Sequence, residues 1–189
     1  MTEEQTKKKA ALFIDGSNLY KRLQYSGIRK GNIDYAQFSR NLILDRHWVG
    51  TYFYIAPVRK QDGVETYQAQ QRFFSALRGT KGINLKLGTL VKRQNECGQC
   101  GYRHEFLLEK GVDVQLAVDM IAMASQDAYD VAYLVSADSD FIPAVEMIRY
   151  DYKKQVFCVA PKGAKYGKLG NACNTAIPID QSFIDGCQV

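Results

Sequence analysis

Histidine is scarce: the 189 residues hold two, His47 and His104. Neither falls at the end of an expected strand, so a Ser-His-Asp hydrolase, whose general base is an imidazole, has little to build on. No Gly-x-Gly-x-x-Gly follows an apolar run, which argues against a dinucleotide enzyme. Apolar runs all fall short of the ~20 residues that a membrane helix needs. The opening residues, MTEEQTKKKA, contain no apolar segment of the signal-peptide kind, so a cytoplasmic protein is expected. Five cysteines, an odd number, suit a reducing compartment better than a disulfide framework. There is no internal repeat, low-complexity stretch or linker. The expected organisation is a disordered charged tail over residues 1–9 and a single domain over 10–189.

What is present is ordinary for a globular chain: 46% hydrophobic and 24% charged residues. The net charge of +5 comes from 25 basic and 20 acidic side chains, too mild an excess to identify a polyanion partner alone. The runs AALFID (10–15), WVGTYFYIAP (48–57), VAYLVS (131–136) and QVFCVA (155–160) read as strands, with TAIPI (175–179) as a last edge strand. Between them, 17–27, 32–45, 64–79, 111–125 and 140–150 carry helical spacing. Ser17 or Asn18 is the expected cap of the first, and Pro143 sits in the first turn of the last. INLKLGTLV (83–91) alternates like a half-buried strand, and YRHEFLLE (102–109) can return beside it, which places a β-hairpin insertion around 83–108. Alternating strands and helices predict an α/β fold, a mainly parallel sheet covered by helices on both faces. Trp48, Tyr52, Tyr54 and Tyr133 fall within strand patterns and are expected to pack the sheet rather than stack on bases.

Two of these strands run into acids. The first ends at Asp15, and VAYLVS is followed by Asp138 and Asp140, while Asp113 falls in the first turn of the helix that starts near 112. Open parallel sheets bind ligands at the carboxyl ends of their strands, so these acids converge on one rim if their elements are neighbours. Each acid singly is also explained as a helix cap that satisfies free N–H groups. Together they repel and raise one another's pKa unless a hard divalent cation, Mg²⁺ or Mn²⁺, stands among them. Asp119 is rotated by about 240° from Asp113 on the helix and reads as structural.

FIDGSNLY (13–20), EKGVDVQLAVDM (109–120) and LVSADSDFIP (134–143) resemble the three motifs of NYN domains, within the PIN-like nuclease superfamily and closest in pattern to its LabA-like bacterial branch. The resemblance implies a three-layer αβα sandwich and an Mg²⁺- or Mn²⁺-dependent ribonuclease. It implies that Asp15, Asp113, Asp138 and Asp140 hold the metal and are catalytic, with Asn18 as polar companion of Asp15 and Ser17 and Ser136 at small polar motif positions near the substrate. Phosphodiester hydrolysis needs charge stabilisation and an activated water, and carboxylate-held metal ions supply both. A haloacid-dehalogenase-type phosphatase also begins with an aspartate after a strand, but it wants a second acid two residues on, where this chain has Ser17.

Basic residues cluster near the same rim. Lys162, Lys165 and Lys168, with Tyr166, follow the strand 155–160. Arg59 and Lys60 follow the strand 48–57, and Lys110 precedes Asp113. They are expected to contact RNA phosphates, against the plainer reading of solvated lysines. CGQCG (97–101) has the Cys-x-x-Cys spacing of half a zinc site. His104 offers a third ligand beside Cys97 and Cys100, and the same loop of a second copy offers the rest, which makes a homodimer one expected state. Without the metal chemistry, the alternative is a non-catalytic RNA-binding or regulatory module on the same fold.

Overall fold

The computed structural model describes residues 7–163 and 167–188. In chain order the elements are β1 (Lys9–Asp15), α1 (Gly16–Tyr25), α2 (Tyr35–Ile43), β2 (His47–Ile55), α3 (Val64–Gly79), β3 (Ile83–Leu87), β4 (Thr89–Glu96), β5 (Arg103–Lys110), α4 (Val112–Ser125), β6 (Val131–Val135), α5 (Ile142–Tyr150), β7 (Gln155–Pro161), α6 (Gly167–Ala172), β8 (Thr175–Ile179) and α7 (Gln181–Asp185). Six strands form one sheet in the order β3-β2-β1-β6-β7-β8. Every pairing in it is parallel. β4 and β5 form a separate antiparallel hairpin.

The central strand shows why the sheet is covered on both sides. Ala10 to Ile14 are all fully buried, a continuous apolar run of the kind that two-sided burial requires. Alternate side chains part to opposite faces. Ala10, Leu12 and Ile14 join a core with Leu19 and Leu23 of α1, Phe38 and Leu42 of α2, and Phe74 and Leu77 of α3. Ala11 and Phe13 join a second core with Leu116 and Met120 of α4 and Val145 and Ile148 of α5. The result is three layers, αβα. Full burial of Leu12, Phe13 and Ile14 stabilises the fold by roughly 1.5–3 kcal/mol each, so whatever ends β1 is held on a rigid element. Tyr54 and Tyr133 are buried, Tyr52 stacks on Phe13 at 5.3 Å between centroids, and the half-buried Trp48 donates to Thr51 Oγ1 at 3.1 Å, so the strand aromatics pack as expected. No helix among the described residues is long and apolar enough to cross a membrane.

The structure redraws several boundaries. INLKLGTLV is two strands: β3 is the edge of the main sheet, and the hairpin spans 89–110. The break falls at Gly88, whose N–H donates to the Ile55 carbonyl at 3.0 Å. A Cβ there would lie 2.3 Å from Val112 Cγ2 and 3.1 Å from the Lys110 carbonyl oxygen, so the turn needs a residue without a side chain. α1 is capped by Asp15, not by Ser17 or Asn18. A 3₁₀ turn, Ser139–Phe141, precedes α5, which carries Pro143 in its first turn as expected. β1 already includes Lys9, one residue inside the expected tail. The short helix α7, capped by Asp180, lies beyond the last expected element.

Candidate active site

From β1 the sheet grows one way through β2 and β3, and the other way through β6, β7 and β8. The crevice at such a switch point is where doubly wound sheets receive ligands. Asp15 ends β1, and Ser136, Ala137 and Asp138 follow the adjacent β6. By the two-residue alternation of a strand, Asp15 shares the face of Ala11 and Phe13, toward α4.

Asp15 is 4% exposed and tightly held. Its Oδ1 accepts the Asn18 N–H at 2.9 Å, capping α1, and its Oδ2 accepts the Ser136 hydroxyl at 3.2 Å. Ser136 Oγ in turn accepts the Asp138 N–H at 3.2 Å, and Asp138 Oδ1 accepts the Asp140 N–H at 3.0 Å. Asn18 Oδ1 accepts the Ala137 N–H at 3.2 Å, tying α1 to the segment after β6. The two rims are therefore stitched together by short polar side chains. Ser136 is buried and positions Asp15 from behind rather than facing outward.

A cleft of about 370 Å³ opens over these groups. Its walls include Asp15, Ser17, Asn18 and Lys21 from β1 and α1, Asp113 from α4, Asp138 after β6, and Leu90, Leu107, Leu108 and Glu109 from the hairpin. Burial pushes the Asp15 carboxyl up to about 6, with Asp113 and Glu109 adding repulsion against its hydrogen bonds. Asp113 is also raised, first by desolvation and then by Asp138, Glu109 and Asp140, while Lys21 opposes this. Oxygen donors that repel one another fit a hard cation such as Mg²⁺ or Mn²⁺ in kind. Among the described residues, no three histidine, cysteine, aspartate or glutamate side chains are already arranged as a metal-holding set.

Two charged members of this cleft, Glu109 and Lys21, were not expected from the sequence. Glu109 Oε2 accepts the Ser17 hydroxyl at 2.8 Å and the Ala56 N–H at 3.1 Å, so it locks the hairpin base to α1 and to the end of β2. It stands four residues before Asp113, in the same motif, but on what reads as a hairpin strand. Lys21 follows Ser17 by one helical turn, so its place on the same face was available from spacing. Asp119, read as structural, accepts the Tyr54 hydroxyl at 2.9 Å and pairs with Lys86 at 3.2 Å.

Other candidates lie apart from the cleft lining. Asp140 is exposed within the 3₁₀ turn, with Asp138 rather than Asp140 as the cap. Lys110 is exposed beside Thr89 in the hairpin register. Arg59 is engaged by Asp62, with Nε to Oδ2 at 2.6 Å. Lys60 opens a 3₁₀ turn. Lys162 and Lys168 are exposed after β7. Lys165 and Tyr166 lie outside the described residues. At the hairpin tip, Cys97 and Cys100 are exposed free thiols, but His104 sits opposite Asn95, with its ring stacked over Phe106, and does not close a three-ligand set with them.

A crystal structure of a protein of unknown function from Vibrio parahaemolyticus shares this fold, with a TM-score of 0.70 at 23% identity over 97% of this chain and 98% of that one. The low amplitude and bright protein LabA of Synechococcus elongatus is 25% identical over 183 residues, 93% of this chain and 87% of the relative. The NYN domain model matches residues 9–180, from the first strand to the cap of the last helix, and the chain belongs to the NYN-domain family.

Proposed function

We propose that this protein is a divalent-metal-dependent endoribonuclease and that the acidic cleft is its active site. One observation carries the reading: among the described residues, four carboxylates, delivered by four separate elements, line one cleft at the switch point of the sheet with a single lysine among them. Membership of a family that resembles the PIN-like nucleases supports it.

Asp15, Asp113, Asp138 and Glu109 would hold Mg²⁺ or Mn²⁺. Once bound, the ion supplies electrostatic stabilisation of the scissile phosphate and an acidified water. The chain's own contribution is preorganisation. Asn18 and Ser136 keep both oxygens of Asp15 oriented, and Ser17 keeps Glu109 turned inward. Lys21 offers the cleft a cation for a phosphate oxygen. Asp140 stands outside the cleft lining, where a carboxylate can orient water or take its proton. Lys162 and Lys168 extend the rim as phosphate contacts beyond β7. Leu107 and Leu108, 39% and 42% exposed, give the hairpin wall an apolar surface against which a base or ribose can rest.

Labelled single-stranded RNA, incubated with the purified chain and Mn²⁺ beside the Asp138→Asn variant, tests this. The expected result is internal cleavage by the parent chain and none by the variant. Equal cleavage by both would remove the cleft from the reaction. RNA bound but not cut by the parent chain would instead favour a non-catalytic RNA-binding module.

A further inference from the structure

The hairpin that lends Glu109 to the cleft ends, at its far tip, in Cys97 and Cys100, which the acidic site does not use. Both thiols are exposed and free of disulfides. The turn that carries them is closed by two main-chain hydrogen bonds. The Cys97 N–H donates to the Tyr102 carbonyl at 2.9 Å, and the Gly101 N–H donates to the Cys97 carbonyl at 2.8 Å. Gly101 takes a φ of 68°, the left-handed conformation that glycine adopts at no steric cost. The same turn brings Cys100 back beside Cys97. Two adjacent sulfurs on such a turn are half of a tetrahedral soft-metal site.

The described residues do not supply the other half. Cys158, Cys173 and Cys187 are buried in the sheet layers. His104 is turned onto Phe106, and among the described residues no third histidine, cysteine, aspartate or glutamate joins the pair. Residues 92–105 are all exposed, so nothing among the described residues covers the tip. A closed structural zinc site takes four protein ligands, and a two-fold contact between copies brings two identical pairs together.

We propose that the hairpin tips of two copies share one Zn²⁺, held by Cys97 and Cys100 of each. Four Zn–S bonds form, and four thiol protons leave to solvent. Charge at the tip suits this. Lys92, Arg93 and Arg103 outnumber Glu96 and Glu105, three cations against two anions per copy, beside a zinc tetrathiolate that carries a charge of −2. The Arg103–Glu96 pair, at 2.9 Å, braces the strands on which the knuckle stands. The assembly would hold two acidic clefts at a set separation, though the zinc site itself does not depend on the nuclease reading.

The test titrates the reduced full chain with Zn²⁺ and follows mass by sedimentation, then repeats the titration with Co²⁺ and reads its spectrum. With excess Mg²⁺ present to occupy the acidic cleft, the expected result is half an ion per chain, a doubling of mass, and a thiolate-to-cobalt charge-transfer band. The Cys97→Ser and Cys100→Ser variants each lose all three while keeping the parent's circular dichroism, and Asp138→Asn keeps all three. One zinc per monomer, absence of the thiolate band, or a dimer that persists when both cysteines are replaced would overturn the proposal.

Discussion

At the amino ends of the central strands, Asp127 and Asp130 sit against Lys9 and Lys154. At the carboxyl ends, Asp15, Asp113 and Asp138 sit against one another and Glu109. In the first cluster, Lys154 hydrogen-bonds Asp127 and lies 3.5 Å from Asp130, while the Lys9 N–H donates to Asp130 at 2.7 Å. The hydrogen bond from Lys154 holds the Asp127 carboxyl below its ordinary range. In the second cluster, burial and mutual repulsion push Asp15 and Asp113 above theirs. One residue type thus does two jobs. The amino-end acids are neutralised by the chain and brace it, weakly, as exposed ion pairs do. The carboxyl-end acids cost stability, and perturbed carboxylates gathered in a cleft are the pattern on which the proposed active site rests.

The sharpest way to break this contrast is a matched pair of substitutions. Asp138→Asn should lower Mn²⁺-dependent RNA cleavage by on the order of 10²–10³-fold or more, the scale on which a single electrostatic group contributes to a transition state. Asp127→Asn should leave the rate unchanged. A comparable loss in both would mean that the two clusters do not differ in role.

Stability against pH separates the clusters by sign. The Asp15 pKa rises on folding from 3.8 to about 6, so between those values the native chain holds a proton that the unfolded chain has released. Stability therefore falls as pH rises through this window, by up to about 3 kcal/mol at 1.36 kcal/mol per unit. Urea unfolding without added metal should show Asp15→Asn flattening this slope and exceeding the parent chain in stability at pH 7, while losing cleavage. Asp127 has the opposite sign: its contribution is present at neutral pH and fades as pH falls below the ordinary carboxylate range.

Added Mn²⁺ should sharpen the contrast further. It should raise the thermal midpoint of the parent chain and of Asp127→Asn, with linkage worth about 2.7 kcal/mol at a hundredfold excess over the dissociation constant. Asp138→Asn should gain less. The smallest expected effect is Glu109→Gln, which keeps an acceptor for the Ser17 hydroxyl and the Ala56 N–H but removes one charge from the cleft. It should cost about 1.4 kcal/mol in transition-state stabilisation, or about tenfold in cleavage rate, with little change in unfolding.

Much of the cleft was legible because its signals are local. Strand-ending acids can be read from composition, and Asp15, Asp113 and Asp138 all line the cleft. Whether an acid is a cap or a ligand was posed as a choice, and Asp15 and Asp138 show that capping does not take an acid out of the cleft. Each caps the turn that follows it with one oxygen, yet still lines the wall. The fates of Asp140 and Lys110 were not legible, because a strand or helix pattern says which residues are polar but not which of two polar directions meets a neighbour. Arg59 was expected on the rim, but its local partner Asp62, three residues on, engages it.

The order of apolar runs, their length and the acids at their ends settled the class of fold and the end of the sheet where the acids gather, since burial and period-two alternation act within a few residues. Glu109 belongs to a different kind of information. It reaches Ser17 across 92 residues of sequence. That contact exists because Gly88 turns the chain out of the sheet and the hairpin returns beside α4, a packing outcome that no local pattern encodes. The hairpin tip divides the same way: the spacing of Cys97 and Cys100 is written in the chain, but their approach to each other comes from the closure of the turn.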